Sequence, residues 1–177
     1  MKKIIIETEQ LLLRPIEIKD TNALFNYRSD AVANKFQGFI PKNLEDVYEF
    51  INKTTTEFNI VESWFQLVIE ERNSNQIIGD IGVHFIDEQQ VELGITLAKI
   101  QHGKGFATEA LKVLITYLFE KFNKHRIIAS IDPENTSSIK LFERLGFRKE
   151  AHFKESLFIN EVWCDDVIFA ILKKEWN

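Results

Sequence analysis

The feature that most constrains the fold is a glycine loop between a strand pattern and a long helix pattern. Residues 91–97 alternate as a strand does, and from Phe106 onward apolar residues recur at three- and four-residue steps as far as Phe122. Another apolar strand pattern follows at 127–131. Because parallel strands are normally joined through a helix, these patterns predict a strand–helix–strand crossover at the centre of the sheet.

Shorter elements surround this crossover, and their order is β-α-α-β-β-β-α-β-α-β-β. The pattern predicts an α/β (or α+β) chain whose mixed, mostly antiparallel central sheet is flanked by helices. The further predicted elements are a strand at 11–15, a helix capped by Asp20 and Thr21 that carries Leu24, Phe25 and Tyr27, a helix from Leu44 to about Phe58 capped by Asn43, strands at 64–70 and 77–86, a helix from Asn135 to Gly146, and strands at 147–152 and 162–172 joined by a hairpin at Phe158 to Asn160.

The composition of the chain excludes several classes of function, but it says less about the fold. No linker, repeat or low-complexity tract interrupts residues 1–177, which predicts one domain. A net charge of −5 argues against nucleic acid as a partner, and no run approaches the roughly 20 apolar residues of a membrane span. The lone Cys164 and the spacing of the four histidines predict no metal site, and the default compartment is the cytoplasm.

The glycine loop carries the first functional signal. Free N–H groups at a helix N-terminus attract anions, and glycines at 103 and 105 remove side chains that would keep a phosphate away from the backbone. The loop meets neither the Walker A pattern nor the dinucleotide pattern GxGxxG. Spacing alone therefore leaves two interpretations, a pyrophosphate cradle and a tight turn before a helix.

The loop and four outer segments resemble a known family. The segment H-G-K-G-F-A-T-E-A after V-E-L-G-I-T-L is similar to motif A of the GNAT acetyltransferases, Q/R-x-x-G-x-G/A, with Gly105 and Ala107 at the last two positions and His102 in place of Gln or Arg. The outer segments T-E-Q-L-L-L-R-P, I-I-G-D-I-G, N-T-S-S-I-K-L-F-E-R-L-G-F and W-C-D-D-V-I-F-A-I-L-K-K-E-W look like the branch that acetylates the N-termini of ribosomal proteins. That branch also includes spermidine and antibiotic acetyltransferases.

The resemblance implies the GNAT fold and acetyl-CoA as co-substrate. Its pyrophosphate would lie on the amides of the glycine loop, and its pantetheine arm along a strand edge that splays from the next strand at a bulge near Gly94. The implied coenzyme A contacts are Ile95, Thr96, Leu97, His102, Gly103, Lys104, Gly105, Phe106, Ala107, Thr108, Asn135, Ser138 and Phe142.

Acetyl transfer to an amine requires a base, and Glu92 is the first candidate because the family often has a Glu there that acts through water. Asp80 and His84 on the neighbouring strand are alternatives. Each of the three has a purely structural alternative as a solvated or hydrogen-bonded strand residue. The oxyanion donor is expected at the backbone N–H of Ile95 or Leu97.

The departing thiolate has a different set of candidates. Many family members place a Tyr at the position of Phe142, so that phenol is missing here. The ribosomal branch has N-x-x-S in this helix, which Asn135 to Ser138 matches, so Ser138 is a second catalytic candidate beside the leaving sulfur. A helix cap with a polar first turn is the alternative interpretation of both residues.

The resemblance thus implies an N-acetyltransferase that transfers acetyl directly to a primary amine, first of all a protein N-terminal α-amine. A small-molecule acetyltransferase for a polyamine or antibiotic is a second possibility, with Asp165 or Asp166 attracting the cation. A non-catalytic acyl-CoA sensor is a third, which the missing Tyr favours. A homodimer is compatible with all three.

Overall fold

A computed structural model describes residues 4–159 and 161–176, and its centre is a mixed sheet of eight strands. The strands are β1 Ile6–Glu7, β2 Leu11–Pro15, β3 Ser63–Glu71, β4 Gln76–Phe85, β5 Gln90–Leu97, β6 Arg126–Ile131, β7 Arg148–Ile159 and β8 Val162–Leu172. They lie in the order β1-β2-β3-β4-β5-β6-β8-β7, and within the described residues only β5 and β6 pair in parallel. The predicted mixed, mostly antiparallel sheet is confirmed.

Four α-helices cover the two faces of this sheet. They are α1 Thr21–Arg28, α2 Leu44–Lys53, α3 Phe106–Lys121 and α4 Thr136–Arg144. None of the helices in residues 4–159 and 161–176 combines the length and the apolarity that crossing a membrane requires. The predicted crossover is confirmed, since α3 connects β5 to the parallel strand β6.

The crossover strands separate after a short parallel contact. Pairing between β5 and β6 covers only Gln90 to Glu92, opposite Arg126 to Ile128. On its other side β5 stays paired with β4 as far as Leu97. The expected splay is therefore present, but the bulge expected at Gly94 is not: Gly94 lies opposite Gly82 within an uninterrupted β4–β5 register. The strands part without an extra residue in β5, which stays paired with β4 while β6 stays paired with β8.

The two faces of the sheet differ in what covers them. We call the side that packs on α3 and α4 the apolar face, because every second residue from β2 to β8 joins the main hydrophobic cluster there. We call the side that packs on α1 and α2 the polar face. Its apolar cluster is small and is built from Leu24, Tyr27, Val47, Ile51 and Val68.

Helix α2 ends earlier than predicted. It stops at Lys53, where Thr54 adopts an extended conformation and its hydroxyl donates to the carbonyl of Ile51 at 2.8 Å. Three consecutive threonines, 54–56, disfavour another helical turn because β-branched side chains lose rotamer freedom in a helix. Phe58 therefore does not extend the apolar side of α2. Its ring packs instead on Phe65 and Phe85, at centroid distances of 5.1 and 4.9 Å, on the apolar face.

Asp20 occupies the N-cap position of α1 as predicted, but its side chain does not cap the helix. Its carboxylate makes no cap hydrogen bond to α1 and instead binds the guanidinium of Arg14 through two contacts of 2.8 and 2.9 Å. The Glu17 N–H donates to the same carboxylate at 2.8 Å. A buried carboxylate that already holds an arginine and a turn amide has no oxygen in position to cap the helix.

The last two strands pair as predicted, but β7 runs to Ile159 rather than to His152. Two register shifts, at 149–151 and 153–157, let the longer strand follow β8. Of the predicted turn, Phe158 lies in β7, and Asn160 lies outside the described residues. The short strand β1, for which the sequence carried no prediction, pairs with β2 at the other edge of the sheet.

Candidate active site

The separation of β5 from β6 opens a cleft at the middle of the sheet. From Leu93 to Leu97 the backbone of β5 has a strand partner only on the β4 side. The opposite wall is the end of β6, which pairs with β8 as far as Ile131. An open strand edge offers backbone N–H and C=O groups to an extended ligand in the way that an added strand would take them.

The glycine loop stands at the end of this open edge. Gly103 and Gly105 have φ of 76° and 88°, the left-handed region that favours glycine, and Gly105 is the residue before α3. The first bond of α3 runs from the Glu109 N–H to the carbonyl of Gly105, so the N–H groups of Phe106 to Thr108 precede the helical ladder. A Cβ added at either glycine would meet no atom within 4 Å, so the loop is open on the side where a side chain would stand.

Side chains around the loop hold its geometry. The His102 ring nitrogen Nε2 lies 3.1 Å from the carbonyl of Leu97, which links the loop back to the end of β5. Lys104 is exposed and donates to Gln101 at 2.9 Å. Ile95 and Leu97 pack on the main cluster at the apolar face, whereas Thr96 is buried on the polar face and its hydroxyl has no hydrogen-bond partner in the described residues. The side chains of Ile95, Thr96 and Leu97 thus pack against the protein, and it is their backbone groups that are available for the predicted contacts with coenzyme A.

The N-terminus of α4 lies just after the other wall of the cleft. Asn135 caps this helix, because its Oδ1 accepts the N–H of Ser138 at 3.1 Å. Ser138 is half-buried. Phe142 is 2% exposed and packs edge-on against Phe147 in the core, so its contact with coenzyme A stays a prediction.

The candidate base Glu92 is held by a neighbour on β4. Its Oε2 lies 3.1 Å from Nδ1 of His84, directly opposite in the sheet. The His84 ring stacks on Trp64 of β3, with centroids 4.6 Å apart and planes inclined by 8°. The three side chains form one row across β3, β4 and β5 on the polar face, beside the point where β5 leaves β6.

The third candidate, Asp80, has a different environment. It is completely buried, and its carboxylate accepts from Arg28 Nε at 3.0 Å and Nη2 at 2.5 Å, from the Tyr27 hydroxyl at 2.5 Å, and from the Gln66 amide. Burial together with the charge of Asp80 raises the pKa of Tyr27. Burial alone would lower the pKa of Arg28, but the adjacent carboxylate outweighs it and the net shift is upward. With every lone pair engaged, Asp80 anchors α1 to the sheet and is poorly placed to receive a substrate proton.

A second cleft of about 250 Å³ lies between the α1–α2 connection and the β7–β8 hairpin. Lys35 and Phe36 form one side of it. The other side is lined by Ser130, Asp132, Leu157, Ile159, Val162, Cys164 and Asp165. Ser130 donates to Asp166 at 2.7 Å next to this cleft. The sequence analysis singled out Asp165 and its neighbour Asp166 but missed Lys35, Ser130 and Asp132, because no sequence pattern shows that these segments lie together.

The acidic residues predicted to attract a cation are already partnered. Asp165 accepts from Lys154 at 2.7 Å, from the Glu155 N–H at 2.9 Å and contacts His152 Nε2 at 2.8 Å. The hydrogen bonds from Lys154, Glu155 and His152 lower its pKa far below the usual range of an aspartate. Its charge is thus permanent at neutral pH, but it is largely compensated by its neighbours.

The open strand edge and the glycine loop suit an extended ligand that carries phosphate groups, and comparison with known proteins gives the family. The model of the acetyltransferase (GNAT) domain matches residues 10–148, and the chain belongs to this family of N-acetyltransferases. The GNAT fold uses acetyl-CoA as co-substrate, in agreement with the open strand edge and the glycine loop.

Individual relatives agree over nearly the whole chain. The chain is 33% identical to an uncharacterized N-acetyltransferase of Bacillus subtilis strain 168, YnaD, over 97% of this chain and 99% of that protein. A GNAT-family acetyltransferase from Bacillus anthracis has a crystal structure that superposes with a TM-score of 0.87 at 31% identity, covering 97% of this chain and all of that one.

Two further relatives have named acceptors. Spermidine N-acetyltransferase from Vibrio cholerae, solved in complex with CoA and spermine, superposes with a TM-score of 0.80 at 26% identity over 95% of this chain and 98% of that one. The ribosomal protein uS5-alanine N-acetyltransferase of Escherichia coli is 38% identical, but only over 48% of this chain and 44% of that protein. The family is therefore established, while the sequence match to this ribosomal-protein acetyltransferase of Escherichia coli extends over about half of the chain.

Proposed function

We propose that this N-acetyltransferase transfers the acetyl group of acetyl-CoA directly to the α-amine of a protein or peptide N-terminus. The observation that carries the proposal is the cleft between β5 and β6, which lies between the glycine loop at one end and the row of Glu92 and His84 on the polar face. The cleft holds the thioester arm, and the row supplies the base for the amine.

The loop residues 102–108 hold the pyrophosphate of acetyl-CoA. The N–H groups before the first bond of α3 point out of the helix end, and the positive-φ glycines leave the backbone uncovered. The open edge from Leu93 to Leu97 pairs with the pantetheine arm, and a backbone N–H of Ile95 or Leu97 stabilises the oxyanion. Ser138 hydrogen-bonds the departing sulfur from the N-terminus of α4, which Asn135 caps.

The second cleft supports an acceptor with one amine and an apolar portion. Two aspartates and one lysine line it together with four apolar side chains and Cys164, and Asp165 is already compensated by Lys154 and His152. A polyamine with several positive charges would need more uncompensated acid than this. An α-amine, with a pKa of about 7.7, is also far easier to deprotonate than a lysine-like amine at about 10.4.

The acceptor is tested by measuring release of the CoA thiol from acetyl-CoA with a panel of amines. The panel contains peptides that begin with Ser, Ala or Met, spermidine, free lysine and an aminoglycoside. We expect selective release with one class of peptide. Release only with spermidine, as the Vibrio cholerae relative's name suggests for that protein, or only with the aminoglycoside, would overturn the proposed acceptor.

The phosphate cradle is tested by Gly105→Glu, which places bulk and negative charge at the end of α3. We expect acetyl-CoA binding, followed by calorimetry, to weaken at least about a hundredfold. Gly146→Glu is the matched control, because Gly146 has the same φ of 88° and lies outside the loop. Gly146→Glu introduces the same backbone strain as Gly105→Glu. If Gly146→Glu binds acetyl-CoA as wild type does, the loss of affinity in Gly105→Glu is due to the phosphate cradle and not to strain. Equal affinity in both variants would contradict the cradle.

A further inference from the structure

We propose that His84, rather than Glu92 directly, takes the proton from the acceptor amine, and that Glu92 is a positioning residue that orients the imidazole. The inference rests on the proposed acetyl transfer and assigns the base within it. It makes Trp64, His84 and Glu92 a working unit on three adjacent strands.

The contact with Glu92 fixes which ring nitrogen is free. An ionised carboxylate can only accept a hydrogen bond, so Nδ1 of His84, 3.1 Å from Oε2, carries the ring hydrogen. The lone pair then lies on Nε2, which has no hydrogen-bond partner among residues 4–159 and 161–176. A carboxylate that holds one nitrogen of an imidazole also stabilises the cation that forms when the other nitrogen accepts a proton.

The stack on Trp64 holds the plane of the same ring. The two planes are inclined by only 8° at a centroid distance of 4.6 Å, and the register places Trp64 and Glu92 on opposite sides of His84 in the sheet. Glu92 thus fixes the rotation of the imidazole ring, and Trp64 fixes its tilt. A protonated imidazole on an indole face also gains a cation–π contribution.

Space for the reacting amine of the acceptor lies beside this row. Two residues from His84 and Glu92 on the same face, Gly82 lies opposite Gly94. A Cβ on Gly94 would meet no atom within 4 Å, so the surface next to the pair is open toward the splay between β5 and β6. Gly82 itself is buried beneath the Trp64 ring and the Gln66 side chain, so the shallow trough lies at Gly94, where an amine can approach the thioester cleft.

The two carboxylates nearest to His84 on this face do not compete. Asp80 is buried under Arg28, Tyr27 and Gln66. Glu92 itself is engaged with His84, and a carboxylate is a weaker base toward an ammonium ion than an imidazole is. His84 is therefore the strongest base that is both partly exposed and held in position beside the trough.

The proton balance of the step is simple. An ammonium acceptor gives one proton to Nε2 of His84, and the freed lone pair of the amine forms the C–N bond with the acetyl carbon. The C–S bond of the thioester breaks as the oxyanion collapses. The second proton lost by the nitrogen ends on the sulfur of coenzyme A, and His84 returns its proton to solvent.

The kinetic test compares His84→Gln, Glu92→Gln and the double variant, with His125→Gln as control because His125 is exposed outside both clefts. With the acceptor that wild type uses, we expect His84→Gln to lower kcat about a hundredfold or more, and Glu92→Gln to lower it about tenfold. KM for acetyl-CoA should stay within about twofold, and the double variant should be no slower than His84→Gln, since Glu92 acts through His84.

The opposite pattern would overturn the inference. If Glu92→Gln loses as much kcat as His84→Gln or more, or if the two losses multiply in the double variant, Glu92 acts as a base in its own right. A His84→Gln variant with the wild-type kcat excludes His84 as the base. Acetyl-CoA binding measured on each variant shows that it is folded.

A second readout does not depend on turnover. Nitrogen-15 NMR of the resting protein, with the His84 signal assigned by its absence from His84→Gln, reports which ring nitrogen carries the hydrogen. We expect the Nδ1–H form, shifting toward a mixture in Glu92→Gln. A ring protonated at Nε2 at neutral pH would contradict the inference even if wild type transferred acetyl. An inert wild type with the expected signal would contradict only the proposed function.

Discussion

Alternate residues of β4 show how differently the two faces of the sheet are built. Ile81 and Val83 point to the apolar face and are completely buried, whereas Asp80, Gly82 and His84 point to the polar face. The apolar face is filled by one large cluster under α3 and α4. The polar face has a small apolar cluster, one buried ion pair and an open trough.

The same strands therefore contribute to stability through their apolar face and to the proposed chemistry through their polar face. Burial of apolar side chains is non-directional, so the apolar face needs no particular hydrogen-bond partners. It must be closely packed, because protein interiors leave few gaps. The polar face depends on paired groups, because an unpaired buried polar group costs more than it contributes. The chemistry that we propose is located where pairing is incomplete, at the trough beside His84.

Asp80→Ala is the substitution from which we expect the largest effect. It is an exception to the assignment of stability to the apolar face, because Asp80 lies on the polar face and its loss lowers stability. It leaves the Arg28 guanidinium buried without its counter-charge, which should lower the free energy of unfolding by about 3–5 kcal/mol. Urea denaturation measures the change. The double variant Asp80→Leu with Arg28→Met should recover most of the loss, and a single variant as stable as wild type would contradict the buried pair.

Leu114→Ala tests the apolar face at the middle of α3. Leu114 is completely buried, and its truncation should cost about 3 kcal/mol in the free energy of unfolding by urea denaturation. At temperatures where the variant is folded, kcat and the affinity for acetyl-CoA should remain at wild-type values. Lys112→Ala, an exposed residue of the same helix, is the control and should change stability by less than about 0.5 kcal/mol. A changed kcat in folded Leu114→Ala would mean that the two faces are coupled.

Gly94→Phe tests the trough without touching the core. A benzyl side chain would occupy the open surface beside His84 and Glu92, so we expect kcat/KM for the acceptor to fall about tenfold or more, while the free energy of unfolding changes little. Gly94→Ala is the matched control, since its Cβ has free space. Wild-type kcat/KM in Gly94→Phe would place the acceptor elsewhere.

The smallest expected effect concerns Asp165 in the β7–β8 hairpin. Hydrogen bonds from Lys154, the Glu155 N–H and His152 lower its folded-state pKa, so its stabilising contribution is present above the ordinary aspartate pKa and disappears as the pH falls toward the lowered one. Asp165→Asn should melt lower than wild type at pH 7, by no more than about 2 °C because the site is exposed, and the difference should close below about pH 4. A difference that grows on acidification would contradict the assigned sign.

Local patterns predicted much of this molecule. The amphipathic repeat of α3, the glycines of the loop, the cap at Asn135 and the stop at Gly146 each depend on neighbours in the sequence, and the structure has all of them. Three consecutive strand patterns joined by tight polar turns predicted the antiparallel pairing of β3, β4 and β5 for the same reason. Resemblance to the family added the cofactor and the reaction, which no local pattern contains.

Two of the failed predictions reflect long-range competition. Asp20 is a good cap in isolation, but Arg14 and Glu17 hold its carboxylate. Phe58 follows the helical pattern of α2, but it is the apolar face that buries its ring. A sequence pattern gives what a residue prefers locally, whereas the free energy of the folded chain selects among all of its possible partners.

The sequence by itself thus determined the order of the elements, the crossover, the glycine loop and, through its family, the class of reaction. Only the tertiary structure decided that Asp80 is buried under Arg28 while His84 and Glu92, on the same face, meet beside an open trough. Alternation along a strand assigns residues to faces, but the register between strands decides which side chains lie opposite one another. That register is fixed by the packing of the whole sheet, because a slip of one residue would move every apolar side chain to the wrong face.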